Sequence, residues 1–284
     1  MKQLVIDAHQ HYWEFGRFDY FWMTPEREAL RRNFLPEDLA PLLRKSGVDR
    51  TIAVQAHASH EESFWLLELA SSYEFVAGVV AWTDLTSPNL GKALDEFQRH
   101  RKFKGIRHPL EAEPDDGWVV RVEVLQGLAE LERRGIPFDL VIFPRHLKYV
   151  PEIRERCPRL KLVIDHLAKP DIASRKFESW ARELERVAKL PLVWCKLSGM
   201  VTEADHKNWR QEDFRLYVDH VVRHFGYDRV MFGSDWPICV LAASYDQVVY
   251  TLSSALGPLT EDESAKVWGR NASEFYALSD SQRG

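Results

Sequence analysis

Short runs rich in apolar, β-branched and aromatic residues alternate with longer, charged, amphipathic stretches along almost the whole chain. Most of these runs are near-continuously apolar, which is typical of strands buried on both faces of a parallel sheet. A helix is predicted after each of the eight runs, and eight strand–helix units are the number that closes a barrel. The predicted strands cover 4–9, 51–56, 75–82, 103–107, 138–142, 161–166, 192–197 and 229–234.

The stretches between the runs carry helix-boundary signals. Pro36 stands at the first position of one helix, and Thr260 with Glu263 forms a capping box for another. An open doubly wound sheet is the alternative, but no GxGxxG follows the first run. We therefore predict an α/β fold, a (β/α)8 TIM barrel, as a single domain over 1–284. The predicted helices cover 36–46, 60–72, 89–101, 119–134, 146–156, 176–188, 211–225, 244–256 and 261–277.

Composition excludes several classes of protein. The net charge of -5 and the pI of about 6.1 argue against a nucleic-acid partner, because phosphate binding needs a basic face. Cys157, Cys195 and Cys239 form no CxxC pair, which argues against a disulfide scaffold and a thiolate metal site. No stretch approaches the roughly 20 apolar residues of a membrane span, and no signal peptide is evident. We expect no membrane partner and a cytoplasmic location.

Polar side chains stand at the predicted carboxyl ends of four strands, where the active site of a barrel lies. Because side chains alternate along a strand, His9 and His11 are expected to point the same way. A random barrel would show some polar residues at these ends, but less often His9, His11, His166, Arg107 and Asp235 together. These polar residues are His9 and His11 after the first strand, Arg107 and His108 after the fourth, Asp165 and His166 after the sixth, and Ser234 and Asp235 after the eighth.

These residues suit metal-assisted or oxyanion chemistry. His9, His11 and His166 could bind one divalent ion, Zn²⁺ or Mn²⁺, through neutral imidazole nitrogens. Asp235 could complete the metal shell or accept a proton from an attacking water. Catalysis without a metal is the alternative, with the same imidazoles stabilising an oxyanion directly. The predicted catalytic residues are the same four as the predicted metal ligands.

Five further residues are predicted to contact the substrate. Arg107 offers a planar cationic fork suited to a carboxylate or to sugar oxygens. His108 alternates to the opposite face unless the strand has already ended. His57 follows the second strand and could reach the mouth, and Trp22 and Trp82 could form walls of a pocket.

The segment 12–33 carries seven aromatic residues in 22 positions. So much aromatic surface indicates either a lid over the site or a contact between subunits, and the second interpretation predicts a homodimer. The aromatic residues are Tyr12, Trp13, Phe15, Phe18, Tyr20, Phe21 and Trp22.

Taken together, the motifs resemble the amidohydrolase superfamily, in its lactonase-type branch. The resemblance runs from residue 5 to about residue 277. It implies a (β/α)8 barrel in which His9, His11 and His166 polarise a lactone carbonyl, through a metal or directly. It also implies that Asp235 is the general base and that Arg107 contacts the substrate. The motifs that carry it are DAHQHYW, KGIRH, VIDHLAKP, CKLSGM, VMFGSDWP and GRNASEFY.

The branch includes sugar-acid lactonases and hydrolases of muconolactone- and pyrone-type lactones. The resemblance therefore implies opening of a small sugar-acid lactone, such as L-fuconolactone or L-rhamnonolactone, to the free acid. The run 138–142 ends without an obvious ligand for a second ion, which favours one metal or none. A metal-dependent decarboxylase of an unsaturated or aromatic acid is the main alternative, and a barrel that only binds a ligand is the third.

Overall fold

The computed structural model describes residues 3–278, and within them eight parallel strands form one sheet in chain order. The backbone amides of His11 and Asp235 donate to Trp236 and His9, at 2.7 and 2.8 Å. These bonds join the last strand to the first, so the sheet curls into a nearly closed barrel. The strands are β1 Ile6–Gln10, β2 Arg50–Val54, β3 Val76–Ala81, β4 Phe103–His108, β5 Phe138–Leu140, β6 Leu162–Ile164, β7 Val193–Leu197 and β8 Val230–Phe232.

Helices follow the strands, as the alternating pattern predicts, and the (β/α)8 barrel is confirmed. The predicted helix at 261–277 is divided by a π-helical turn at Lys266–Arg270. There the backbone of Gly269 approaches Leu4 so closely that a Cβ would lie 2.1 Å from its carbonyl oxygen. The helices are α1 Pro36–Ser46, α2 His60–Ser71, α3 Leu90–Gln98, α4 Val122–Arg134, α5 Val150–Arg156, α6 Glu178–Ala188, α7 Glu212–Phe225, α8 Tyr245–Leu256, α9 Glu261–Ala265 and α10 Asn271–Phe275.

Alternation along the strands sorts the buried residues into two cores. The larger core lies between the strands and the helices and takes up most of the buried apolar side chains. The smaller core fills the barrel interior and is closed by side chains of the last helical segment. This interior core holds Ile6, Ala8, Ile52, Val54, Val80, Val163, Met231, Ala272, Phe275 and Tyr276.

The first strand departs from strict alternation. Ile6 and Ala8 belong to the interior core, so a regular strand would turn His9 outward, away from the barrel axis. The register with β2 instead shifts between Asp7 and Gln10. Such irregularities re-aim side chains beside active sites. Here the shift places His9 inside the barrel.

No helix in the described part of the chain is long and apolar enough to span a bilayer. The cytoplasmic location, the homodimer and the absence of a nucleic-acid partner stay predictions. So does the single domain over 1–284, because its ends lie outside the described residues.

Candidate active site

Four buried side chains converge at the carboxyl end of the barrel. His9 Nε2 lies 3.2 Å from His11 Nε2. The Oδ1 atom of Asp235 lies 3.9, 3.4 and 3.8 Å from the Nε2 atoms of His9, His11 and His166. We call these four residues the coordinating cluster. The structure thus brings together all four residues that the sequence predicts to be catalytic or metal-binding.

Left-handed backbone brings two members of the coordinating cluster into place. The predicted strand 161–166 ends early, at Ile164, and His166 follows with a φ of 53°. In a continued strand, alternation with the inward-facing Val163 would turn His166 outward. Asp235 lies beyond β8 with a φ of 58°. Non-glycine residues adopt this conformation rarely, and such strain clusters at functional sites.

Two glycines make room for the imidazoles. A Cβ on Gly199 would lie 2.6 Å from His166 Nδ1, and a Cβ on Gly233 would lie 2.7 Å from His9 Cβ. Gly199 also has a φ of 63°, which favours glycine on backbone grounds alone. Both glycines belong to the CKLSGM and VMFGSDWP segments.

Hydrogen bonds on the far side of the rings leave the Nε2 atoms facing the cluster. His11 Nδ1 donates to the backbone carbonyl of Val54 at 2.7 Å, so its Nε2 carries a free lone pair. His166 Nδ1 lies 2.8 Å from Ser198 Oγ. Partners of this kind orient metal-binding histidines.

The protonation states of the coordinating cluster also suit a metal. Burial lowers the pKa of all three histidines, to about 4 for His166, so the imidazoles are neutral at neutral pH. Burial alone would raise the pKa of the Asp235 carboxyl, but His166 and the other imidazoles hold it below its ordinary value. Ligation by zinc requires neutral imidazoles and an ionised carboxylate.

The distances between the metal-ligating atoms also suit a bound metal. A tetrahedral zinc with bonds of about 2.0–2.1 Å holds its ligand atoms about 3.3–3.4 Å apart. Four of the six separations between ligand atoms, from 3.2 to 3.9 Å, bracket that value. The ligand atoms of His9, His11 and Asp235 all lie within 4.8 Å of one another and fit one divalent ion, with His166 next to Asp235 as a fourth candidate ligand.

A second polar group lies deeper in the barrel, and we call Asp139, Asp165 and Lys196 the charged layer. Lys196 Nζ lies 2.6 Å from Asp139 Oδ2 and 2.9 Å from Asp165 Oδ1, with all three side chains fully buried. Tyr276 donates its hydroxyl to Asp139 at 2.6 Å. The charged layer contacts the cluster through His9, whose Nδ1 lies 3.3 Å from Asp165 and 3.1 Å from Lys196.

Lys196 and Asp139 are not among the site residues predicted from the sequence. A signal was present, because each is a charged residue inside an otherwise apolar predicted strand, 192–197 or 138–142. A charge at such a position needs a buried partner. Pairing the two runs would have required knowing that β5 and β7 flank β6 in the barrel and that both side chains point inward.

The coordinating cluster opens into a pocket at the carboxyl end of the barrel. Arg107 and Trp22 line it, as predicted for substrate contacts, and Trp22 is fixed by a 2.9 Å hydrogen bond from Nε1 to the Ala56 carbonyl. Arg107 Nη1 lies 3.4 Å from both His9 Nε2 and Asp165 Oδ2. The complete lining is His11, Trp22, Arg27, Ala56, Arg107, Glu111, Val141, His166, Lys169, Asp235 and Ile238.

Three predicted substrate contacts lie outside the lining of this pocket. Because β4 continues through His108, its ring faces away from the axis, stacks on Trp118 at 4.0 Å and accepts a hydrogen bond from Trp82 Nε1 at 3.2 Å. His57 stacks on Phe18 with ring centroids 5.9 Å apart. A substrate contact for His57, Trp82 or His108 therefore has no geometric support here.

The aromatic segment 12–33 is folded against the barrel. Tyr12, Trp13 and Tyr20 are buried, and the Trp13 backbone pairs with Phe34. Phe21 is 66% exposed. Five of the seven aromatic side chains thus belong to the larger core or pack against it, and Trp22 also reaches the pocket.

The chain is similar to known proteins over almost its full length. A family model described as Amidohydrolase matches residues 6–278. The L-fucono-1,5-lactonases of Burkholderia ambifaria and Burkholderia multivorans are each 38% identical to it. The first alignment covers 96% of this chain and 95% of the relative, and the second covers 98% and 97%.

A solved structure shares the fold closely. A crystal structure of an amidohydrolase from Burkholderia multivorans with bound zinc is 39% identical, with a TM-score of 0.92, and the match covers 97% of this chain and 100% of that one. These matches confirm the resemblance drawn from the motifs. The chain belongs to the amidohydrolase family.

Proposed function

We propose that the protein hydrolyses a sugar-acid lactone, of the class of L-fucono-1,5-lactone, to the free acid. The observation that carries the proposal is the convergence of three neutral imidazoles and one ionised carboxylate on a single point in a pocket. The lactonase relatives supply the substrate class.

In this mechanism Asp235 accepts the proton of a water that attacks the lactone carbonyl. Its carboxylate is ionised at neutral pH and lies beside the three imidazoles, which suits it as the base. The same proton then passes to the ring oxygen as the carbon–oxygen bond breaks. Each positioned proton transfer contributes about 10²–10⁴-fold to the rate.

The carbonyl oxygen gains negative charge in this step and needs stabilisation. We propose that His9, His11, His166 and Asp235 hold one divalent ion, Zn²⁺ or Mn²⁺, which when bound polarises the carbonyl. Arg107 adds a fixed positive charge, since its guanidinium lies 3.4 Å from His9 Nε2 and lines the pocket. Charge placed in advance costs no reorganisation during the reaction.

Hydrolysis is favoured over the decarboxylase alternative. Two relatives that are each 38% identical to this chain are L-fucono-1,5-lactonases. Hydrolysis also gives Asp235 a role, as the base that accepts the proton of the attacking water.

A panel of lactones and unsaturated or aromatic carboxylic acids tests the reaction class. We expect proton release, followed with a pH indicator, from sugar-acid lactones and no CO₂ from the acids. CO₂ from any acid, with no lactone opened, would contradict the lactonase proposal.

The same panel, repeated after chelation and dialysis, tests the metal. We expect activity to fall and to return with Zn²⁺ or Mn²⁺, and the bound ion to be measurable by elemental analysis. Full activity in metal-free protein would remove the metal from the proposal and leave the lactonase assignment in place.

A further inference from the structure

Residues 166–169 form a left-handed turn with φ angles of 53°, 55°, 59° and 50°. Non-glycine residues adopt this conformation rarely, because their Cβ lies too close to the following carbonyl oxygen. The turn is held in place by Trp180, whose Nε1 donates to the Leu167 carbonyl at 2.6 Å. Both ends of the turn, His166 and Lys169, line the pocket. The proposed mechanism uses only His166, so the second side chain lacks an assigned role.

Lys169 forms an ion pair at the pocket wall. Its ammonium contacts the carboxylate of Glu111, which lies on the short 3-10 turn Leu110–Ala112, and it sits 5.4 Å from the centre of the Phe143 ring. The side chains are 18% and 29% exposed, so both are accessible from the pocket. The pair thus presents charged groups to a ligand instead of closing them off in a core.

Both members are charged at neutral pH. Burial lowers the pKa of Lys169, but attraction to Glu111, Glu203 and Asp235 together outweighs burial, and the pKa lies above the ordinary value. Burial raises the pKa of Glu111, and Lys169 in turn holds it below the ordinary value. The pocket wall therefore offers an ammonium donor beside a carboxylate acceptor.

Adjacent hydroxyls are the groups that match such a pair. An ammonium only donates and a carboxylate only accepts, whereas each hydroxyl can do both. Two neighbouring hydroxyls can therefore bridge the ion pair, with one accepting from Lys169 and the other donating to Glu111. A second carboxylate placed here would meet the charge of Glu111.

We infer that Lys169 and Glu111 form a hydroxyl-binding subsite that recognises a vicinal diol on the lactone ring. The inference rests on the proposed lactonase function and narrows its substrate class to neutral, polyhydroxylated lactones. Hydrogen bonds to charged groups contribute about 1.5–3 kcal/mol, which corresponds to roughly a 10–100-fold preference for the hydroxylated ring.

Two lactones with the same ring size test the subsite. L-fucono-1,5-lactone carries ring hydroxyls, and δ-valerolactone carries none. In Lys169→Met and in Glu111→Gln we expect the ratio of their kcat/KM values to fall roughly 10–100-fold, chiefly through KM for the hydroxylated lactone.

Matched controls separate recognition from folding. Lys176 pairs with Asp171 at 2.9 Å and is 71% exposed, so Lys176→Met removes a comparable ion pair away from the pocket and should leave the ratio unchanged. Thermal unfolding checks that the turn survives Lys169→Met. Glu111→Gln tests the same subsite from a different segment of the chain.

An unchanged ratio in either variant overturns the inference, including the case in which both lactones slow by the same factor. Wild-type protein that opens neither lactone contradicts the proposed function itself. The two failures are therefore distinguishable, because one appears only in the variants.

Discussion

The coordinating cluster and the charged layer lie at successive depths inside one barrel, yet their polar atoms are partnered differently. In the charged layer, Lys196 lies within 2.9 Å of the carboxylate oxygens of Asp139 on β5 and of Asp165 just beyond β6. In the coordinating cluster, Asp235 Oδ1 lies 3.4–3.9 Å from three imidazole nitrogens instead of pairing with a lysine.

This difference separates a group of side chains that fixes its neighbours in position from a group that can bind a metal and react. In the charged layer, Lys196 holds the pKa of Asp165 well below its ordinary value against the effect of burial, so the acid stays ionised and fixed. In the coordinating cluster, lone pairs remain available for a metal, a water or a proton. A barrel interior can therefore devote one layer to positioning and the next to chemistry.

The largest expected effect is the loss of the base from the coordinating cluster. Asp235→Asn keeps the shape of the side chain but cannot accept the proton, so we expect kcat to fall about 10²–10⁴-fold with little change in stability. Steady-state kinetics and thermal unfolding measure both. Asp246→Asn, which changes an exposed ion pair, is the control. Near-normal turnover by Asp235→Asn would contradict its role.

Removing the lysine of the charged layer should act mainly on stability. Lys196→Met leaves Asp139 buried without its counter-ion and Asp165 with Arg107 alone, which costs about 3–5 kcal/mol of unfolding free energy. Urea unfolding measures the loss, and Lys189→Met, in an exposed pair with Glu185, should change little. A loss no greater than that of the control would show that the layer is not a stabilising network.

A smaller effect on stability and activity is expected at Gly199, which leaves room for His166 because it has no side chain. Gly199→Ala adds a Cβ 2.6 Å from His166 Nδ1 at a left-handed residue, so we expect a loss of about 1–3 kcal/mol and a lower kcat. Gly135→Ala is the matched control, because Gly135 has a φ of 69° and open space around it. Equal kcat values for the two variants would mean that crowding does not move His166.

The last effect is a change of stability with pH, and it concerns Glu62, a buried acid outside the charged layer. Glu62 accepts hydrogen bonds from the backbone amides of Ala56 and His57, and burial raises its pKa from 4.5 to about 8. The folded chain therefore holds an extra proton between these pH values. Its contribution to stability is fully present below pH 4.5 and is lost as the pH rises through about 8.

Glu62→Gln removes this titration. Relative to the variant, we expect the wild-type free energy of unfolding to decrease by at most about 1.4 kcal/mol per pH unit between about pH 5 and about pH 7.5. Urea unfolding at several pH values gives the slope. Parallel curves for the two proteins would show that Glu62 is ionised throughout, as Asp165 is in the charged layer.

Much of the fold could be predicted because alternation is a local property. Apolar runs separated by amphipathic stretches indicate eight parallel strands, and α1 spans Pro36–Ser46 as the sequence predicts. The strand ends were less predictable. Asp165 and His166 lie beyond β6, because the chain leaves the sheet for a left-handed turn that apolar patterning does not report.

The sequence by itself determined the barrel, the family resemblance and the four residues of the coordinating cluster. Residue types, and their positions at the ends of predicted strands, can be read directly from the sequence. Only the tertiary structure decided how these residues meet. The register shift in β1, the positive φ of His166 and Asp235, and the pairing of Lys196 with two acids depend on contacts between distant segments. Backbone strain and buried ion pairs of this kind persist only where the surrounding structure enforces them.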